Sequence, residues 1–91
     1  MGQKTMVGPP RAHLLEIEVD GDISIYDPRT EQVTVLNSTA SDIWRLADGT
    51  YDVDEITGLL AAAYGVSPEE IETEVRETVD RLSGQGLLEA E

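Results

Sequence analysis

Three short stretches near the start of the chain alternate apolar and polar residues, which is the pattern of a half-buried β-strand. Strand by strand, the alternating aliphatic residues are Leu15, Ile17 and Val19, then Ile23 and Ile25, then Val33 and Val35. Turn-forming residues at 20–22 and 27–30 separate the three stretches. The pattern predicts a three-stranded antiparallel meander.

The register of the first hairpin decides which face the aliphatic side chains share. If Val19 lies opposite Ile23, and Ile25 opposite Val33, all of them lie on one side, because directly opposed residues share a face. A two-residue Asp-Gly turn would instead set Val19 against Asp22. We therefore expect a three-residue connection and one apolar face, despite the Asp-Gly signal.

From residue 37 the apolar period changes to 3.6 residues and predicts three helices. Asn37 or Ser38 can cap the first, 52–55 form a capping box for the second, and 67–70 open the third with an N-cap, a proline and a glutamate. Gly49 is expected to end the first helix and Gly65 the second, whereas Gly84 is expected to lie beyond the end of the third. The stripes predicted to face inward are Ala40, Ile43, Trp44 and Ala47; Ile56, Leu59, Leu60 and Ala63; and Ile71, Val75, Thr78 and Leu82.

These elements in this order predict an α+β domain of the winged-helix type, with a three-stranded antiparallel meander followed by three α-helices. Trp44 is the only tryptophan and is expected to anchor the core, because it can bury a large area. Leu87 and Leu88 are expected to pack against something apolar at the end of the chain. We expect one domain over residues 14–91.

The chain is strongly acidic, with six lysines and arginines against nineteen aspartates and glutamates in 91 residues and a net charge of −13. This argues against nucleic acid and against anionic membranes as partners, since both attract clusters of basic residues. The absence of cysteine excludes disulfides and thiolate chemistry. No apolar run approaches the roughly 18 residues of a membrane helix, so we expect a cytoplasmic protein.

Residues 1–13 contain no carboxylate and no periodic pattern, and they include Gly8-Pro9-Pro10. They predict a flexible N-terminal arm, to which the sequence assigns no function. His13, the only histidine, is expected to be solvated there.

The residue types needed for catalysis do not come together in this sequence. A general base needs an orienting partner, and His13 has none in the pattern. The acids of 52–55 and 69–74 are explained by capping, by the helix dipole and by i,i+4 pairs such as Glu72 with Arg76. We therefore predict a protein that is not an enzyme and that needs neither a metal nor another cofactor.

Two surfaces remain that could bind a partner. The third strand, Glu31 to Leu36, lies at a sheet edge that no proline or lysine protects, so it can accept an extended peptide. On the third helix, Val79 lies beside the main apolar stripe, next to Glu72, Arg76 and Ser83. From the pattern alone, we expect Val79 to widen the core face.

The segments 36–40 (LNSTA), 43–46 (IWRL) and 48–49 (DG) resemble the hallmark "LN-x-TA … W-x-L … DG" of PqqD-like proteins. The stretches 53–56, 64–66 and 82–88 also follow the family's order, and the resemblance covers roughly residues 21–90. Family members usually have proline where this chain has Ser38. The family includes the RiPP recognition elements, which are non-catalytic domains for ribosomally made and post-translationally modified peptides.

The resemblance implies that the leader of a precursor peptide is added as a fourth strand, in a cleft between the third strand and the third helix. Carried onto this sequence, the peptide-binding residues are Glu31, Gln32, Val33, Thr34, Val35, Leu36, Glu72, Val75, Arg76, Val79 and Ser83. It therefore reverses the interpretation of Val79 from core to cleft. The acidic third helix further predicts a leader with lysine or arginine beside its apolar anchors.

The size of the chain and its tryptophan look most like the standalone elements of lasso-peptide pathways, which work with a leader peptidase and a macrolactam cyclase. The first alternative is a PqqD-like peptide chaperone for a radical enzyme in another pathway. A winged-helix DNA-binding regulator is a second alternative, and an acidic scaffold that binds a protein through Leu87 and Leu88 is a third.

Overall fold

Six elements follow one another in the computed structural model, which describes residues 5–89. They are β1 (Leu15–Val19), β2 (Asp22–Asp27), β3 (Gln32–Val35), α1 (Ser38–Leu46), α2 (Val53–Tyr64) and α3 (Pro68–Gly84). The strands form one antiparallel sheet in the order β1-β2-β3. The predicted α+β fold is confirmed. Residues 1–4 of the expected arm and 90–91 of the expected domain lie outside the described residues.

The helices begin where their capping residues predict. The Asn37 side chain accepts the Ala40 N–H at 2.8 Å. Asp52 accepts the Glu55 N–H at 2.8 Å, while the Glu55 carboxylate accepts the Asp52 N–H at 3.0 Å. Ser67 and Glu70 form a second capping box, and Gly65 ends α2 in the left-handed conformation with φ +71°. These local signals fix the helices before any tertiary contact is considered.

Two helix ends differ from the predicted glycines. α1 ends at Leu46, before Gly49, and the Ala47 N–H bonds the Trp44 carbonyl at 3.1 Å. Gly84 is the last residue of α3 rather than a residue beyond it.

One apolar core joins β2, the three helices and the chain end. Its buried members are Val7, Ile23, Ile25, Leu36, Ala40, Ile43, Trp44, Ala47, Ile56, Leu60, Val75, Val79, Leu82, Leu87 and Leu88. Trp44 is buried, as predicted, and so are Leu87 and Leu88. Partly buried Ile71 packs against this cluster.

The inward face of α2 is rotated from the predicted one. Leu59 and Ala63 are exposed, whereas Thr57 and Ala61 are buried beside Ile56. Thr57 can be buried because its hydroxyl donates to the Val53 carbonyl at 2.8 Å, which leaves no unpaired polar group.

The predicted register of the strands is wrong. Val19 lies opposite Asp22, and Ile25 lies opposite Thr34 rather than Val33. The connection is therefore a two-residue turn, in which Asp20 and Gly21 have φ of +53° and +86°. Positive φ at both central positions defines the primed turn that matches strand twist, and this local preference overrides the burial of β1.

The N-terminal segment from residue 5 to residue 13 packs on the body of the protein, contrary to the expected flexible arm. Val7 is buried; its N–H bonds the Tyr51 carbonyl and its carbonyl accepts the Gly49 N–H, both at 2.8 Å. Pro10 forms a bridge with Leu88. A single buried valine without periodicity gives no sequence signal, which is why the pattern missed this segment.

His13 is also not solvated as expected. Its Nε2 lies 3.2 Å from a carboxylate oxygen of Asp27, and its side chain is 19% exposed. This pair fastens the N-terminal segment to the end of β2.

Candidate functional site

The free edge of β3 is the feature on which the candidate site is built. β3 pairs with β2 on one side, and within residues 5–89 no strand pairs with its other side. No lysine or proline lies in Gln32–Val35, so nothing in the strand itself opposes pairing with a further strand.

The ladder shows which backbone groups of β3 point outward. The Leu36 N–H bonds the Ile23 carbonyl at 2.9 Å. Successive residues of an antiparallel strand turn their backbone groups alternately toward and away from the neighbouring strand. The N–H and C=O groups of Thr34 therefore face β2, and those of Val33 and Val35 face the open edge.

A buried serine fixes the end of this edge strand. The hydroxyl of Ser41 in α1 accepts the Ile23 N–H at 2.9 Å and donates to the Leu36 carbonyl at 3.4 Å. Ser41 is fully buried and ties α1 to both β2 and the residue after β3. Sequence reasoning missed Ser41, although a serine inside an apolar helical stripe is a signal of a buried hydrogen bond.

The predicted β3 residues have unequal exposure. Glu31, Gln32, Val33 and Val35 are exposed, and Thr34 is half-buried on the side that faces the core. Leu36 is buried. Glu31 adopts φ +61° in the turn, and its N–H bonds the Asp27 carbonyl at 2.7 Å, which sets the start of the strand.

The predicted α3 residues occupy different surroundings. Val75 and Val79 belong to the core, whereas Glu72, Arg76 and Ser83 are exposed. The Arg76 guanidinium bonds Glu72, as predicted for this i,i+4 pair, at 3.1 Å and also bonds Asp54 of α2 at 3.0 Å. This flank of α3 therefore meets the start of α2.

Val79 and Ser83 line a cavity of about 450 Å³ together with the N-terminal segment. Its other walls include Val7, Val53 and Leu88. The position of Val79 fits the pattern-based expectation that it widens the core face, and its outer side borders this cavity.

The two halves of the predicted cleft are not in contact. α3 packs on α1 and α2, and no Cα atom of β3 lies within 8 Å of one of α3. A strand paired to β3 would lie about 4.8 Å from it. That position is the edge of β3 at which no strand pairs within residues 5–89.

The sheet has an outer face that the sequence did not predict. Because opposed residues share a face, the observed register puts the aliphatic side chains of β1 and β3 together, away from the core. These side chains are all more than half exposed: Leu15 56%, Ile17 60%, Val19 61%, Val33 62% and Val35 71%. Partly buried Tyr26 lies opposite both Leu15 and Val33.

Among residues 5–89, two titratable groups have shifted pKa values. Partial burial and the hydrogen bond that its hydroxyl donates to Asp42 raise the pKa of Tyr64 to about 12. For Asp27, desolvation raises the pKa, but the Arg29 N–H and His13 outweigh it and lower the pKa below its ordinary value. Neither group lies in β3 or α3, so both act on the scaffold.

Neither a metal centre nor a membrane span is found in the described part of the chain. Among residues 5–89, no three acidic or histidine side chains converge so as to hold a metal ion. No helix in that range is long and apolar enough to cross a membrane.

Comparison with known proteins defines the class of this fold. Residues 23–88 match the family described as Coenzyme PQQ synthesis protein D (PqqD). A solved structure described as "TbiB1 in Complex with the TbiA(beta) Leader Peptide" superposes with a TM-score of 0.77 at 22% identity, covering 88% of this chain and 93% of that one. The curated proteins contain no match. The chain belongs to the PqqD family.

Proposed function

We propose that this chain is a non-catalytic recognition protein that binds the leader of a ribosomally made precursor peptide as a fourth strand on β3. The observation that carries the proposal is the open edge at which the backbone groups of Val33 and Val35 are free to pair. Membership of the PqqD family supports it, as does the likeness to a fold whose solved complex contains a leader peptide.

The predicted site residues take different roles in this proposal. The exposed edge from Glu31 to Val35 supplies the main-chain hydrogen bonds, and side chains of the added strand that point inward enter the space between β3 and α3. Leu36 and Val75 are buried, so we assign them to hold the strand and the helix in place. Glu72, Arg76, Val79 and Ser83 remain the proposed peptide contacts on α3: the first two lie beside the start of α2, and the last two border the cavity at the N-terminal segment.

We further propose that the bound leader is delivered to a leader peptidase and a macrolactam cyclase in lasso-peptide biosynthesis, in the cytoplasm. A PqqD-like chaperone that serves a radical enzyme would use the same edge and is the alternative. A DNA-binding role is disfavoured by α3, in which Arg76 and Arg81 are outnumbered by Glu69, Glu70, Glu72, Glu74, Glu77 and Asp80.

Proline substitution at the edge tests the binding mode. Val33→Pro and Val35→Pro each remove an N–H that faces the open edge, while the bonds to β2 are left intact. With the leader of the precursor encoded beside this chain, calorimetry should show at least a tenfold loss of affinity for both. The control variants Val33→Ala and Val35→Ala keep the N–H and should lose much less. Undiminished leader affinity in folded proline variants would disprove strand addition.

A further inference from the structure

The outer face of the sheet carries exposed aliphatic side chains because specific contacts fix the strand register that places them there. A slip of one residue would turn Leu15, Ile17 and Val19 to the inner face of the sheet, since each shift moves a strand's side chains to the other face. Instead, the turn at Asp20 and Gly21 fixes the observed register.

Arg45 of α1 adds a second restraint on the same hairpin. Its guanidinium lies 3.1 Å from the Glu18 carboxylate and donates to the Gly21 carbonyl at 3.0 Å. Glu18 is thus held on the inner side of β1, and the neighbouring aliphatic residues are held outward. The turn and the ion pair keep aliphatic side chains exposed to water. An apolar patch maintained in this way indicates a binding surface.

The same face continues to the proposed peptide-binding edge. The side chains of Val33 and Val35 lie on the outer face, while their backbone N–H and C=O groups face the open edge of β3. A strand added there would place every second side chain on the outer face, which then becomes four strands wide. The bound peptide and the protein would therefore offer one continuous apolar surface.

The charges around this face select the kind of partner. Acidic residues border the outer face: Asp22 shares the face with Val19, and Asp20 and Glu31 lie in the turns at its two ends. Arg29, in the same turn as Glu31, is basic. Two copies of the chain, each at −13, would bring acidic rims together if these faces met. A surface bordered by lysine or arginine is complementary instead.

We propose that the outer face of the sheet docks the enzyme that acts on the bound peptide, through an apolar surface on that enzyme bordered by basic residues. This inference rests on the proposed function, since the enzyme would bind the surface that the sheet and the bound leader form together. The face shares Val33 and Val35 with the edge and lies on the opposite side of the sheet from the helices.

The test uses the full chain and the peptide-processing enzymes encoded beside it, titrated by calorimetry with and without the leader. The double variant Ile17→Thr, Val19→Thr keeps strand-forming residues on β1, so the hairpin is retained. It should weaken enzyme binding at least tenfold and leave leader affinity unchanged. The control is Leu59→Gln, which removes an exposed leucine of α2 and should change neither affinity.

Three results would overturn the inference: no enzyme binding by the unaltered chain in either titration, equal enzyme binding by the double variant, or a dimer of the unaltered chain in sedimentation that the double variant abolishes. The last would assign the face to a second copy. A leader that fails to bind would instead contradict the proposed function, and the titration without leader still tests the face.

Discussion

The guanidinium of Arg45 in α1 lies 3.1 Å from the carboxylate of Glu18 in β1, so this ion pair ties the first helix to the first strand. Both side chains are substantially exposed, and such a pair contributes at most about 1 kcal/mol to folding. Its effect is on register, because it works with the turn that Arg45 also contacts through Gly21.

The register of the first hairpin can be measured directly. Residues flanking a two-residue turn form a hydrogen-bonded pair, so Glu18 and Ile23 form the next, non-bonded pair, whose Cα atoms approach to about 4.5 Å. Nuclear magnetic resonance should therefore show a strong Hα–Hα contact between Glu18 and Ile23. A contact between the Hα atoms of Val19 and Ile23 in its place would establish the register that turns the aliphatic side chains of β1 inward.

The packing of the N-terminal segment depends on Gly8. Its φ is +87°, and a Cβ atom placed there would lie 2.0 Å from the Ala47 carbonyl oxygen. Gly8→Ala should lower the free energy of unfolding by roughly 2 kcal/mol or more, measured by urea denaturation. Gly58→Ala is the control, because nothing lies within 4 Å of its added Cβ; it should stabilise α2 by about 0.5–1 kcal/mol. Equal stability of Gly8→Ala and the unaltered chain would mean that the segment does not pack as described.

Tyr64 gives the fold a dependence on alkaline pH. Its pKa is raised from 10.0 to about 12 in the folded chain, so the folded state favours the neutral phenol. The resulting stabilisation is complete below the ordinary pKa of about 10 and is lost as the pH rises through about 12. Ultraviolet titration should show a late phenolate transition that Tyr64→Phe removes and that Asp42→Asn moves to lower pH. A late transition that persists in Tyr64→Phe would assign it to another tyrosine.

The acidic surface of α3 predicts the charge of the leader. We expect lysine or arginine beside the apolar anchors of the peptide, and affinity that falls several-fold as ionic strength rises from about 0.05 M to about 0.5 M. Calorimetric titration at several salt concentrations measures this. An affinity that does not change with salt would contradict the electrostatic part of the proposal.

The sequence predicts the elements well because their signals are local. The capping residues Asn37, Asp52 and Ser67 start helices where expected, and Gly65 ends one. These interactions involve only a few neighbouring residues, so a single sequence is enough to find them.

The register and the N-terminal segment depend on competition between distant contacts. The Asp20-Gly21 turn signal and the burial of aliphatic side chains predict different registers, and the chain follows the turn. Val7 is held by a hydrogen bond to Tyr51, and His13 by its contact with Asp27. No sequence pattern connects the residues of either pair. For the candidate site, the edge strand was predictable, but the outer face was not, because it follows from the register.

The central claim is that a leader peptide pairs with the open edge of β3, and amide hydrogen exchange at single residues tests it most directly. In the free chain the N–H groups of Val33 and Val35 face solvent and should exchange rapidly, while that of Thr34, which faces β2, is the protected reference. Saturation with the leader should slow exchange at Val33 and Val35 at least tenfold and leave Thr34 protected as before. Rapid exchange at both valines in the saturated complex, with new protection elsewhere, would contradict the account.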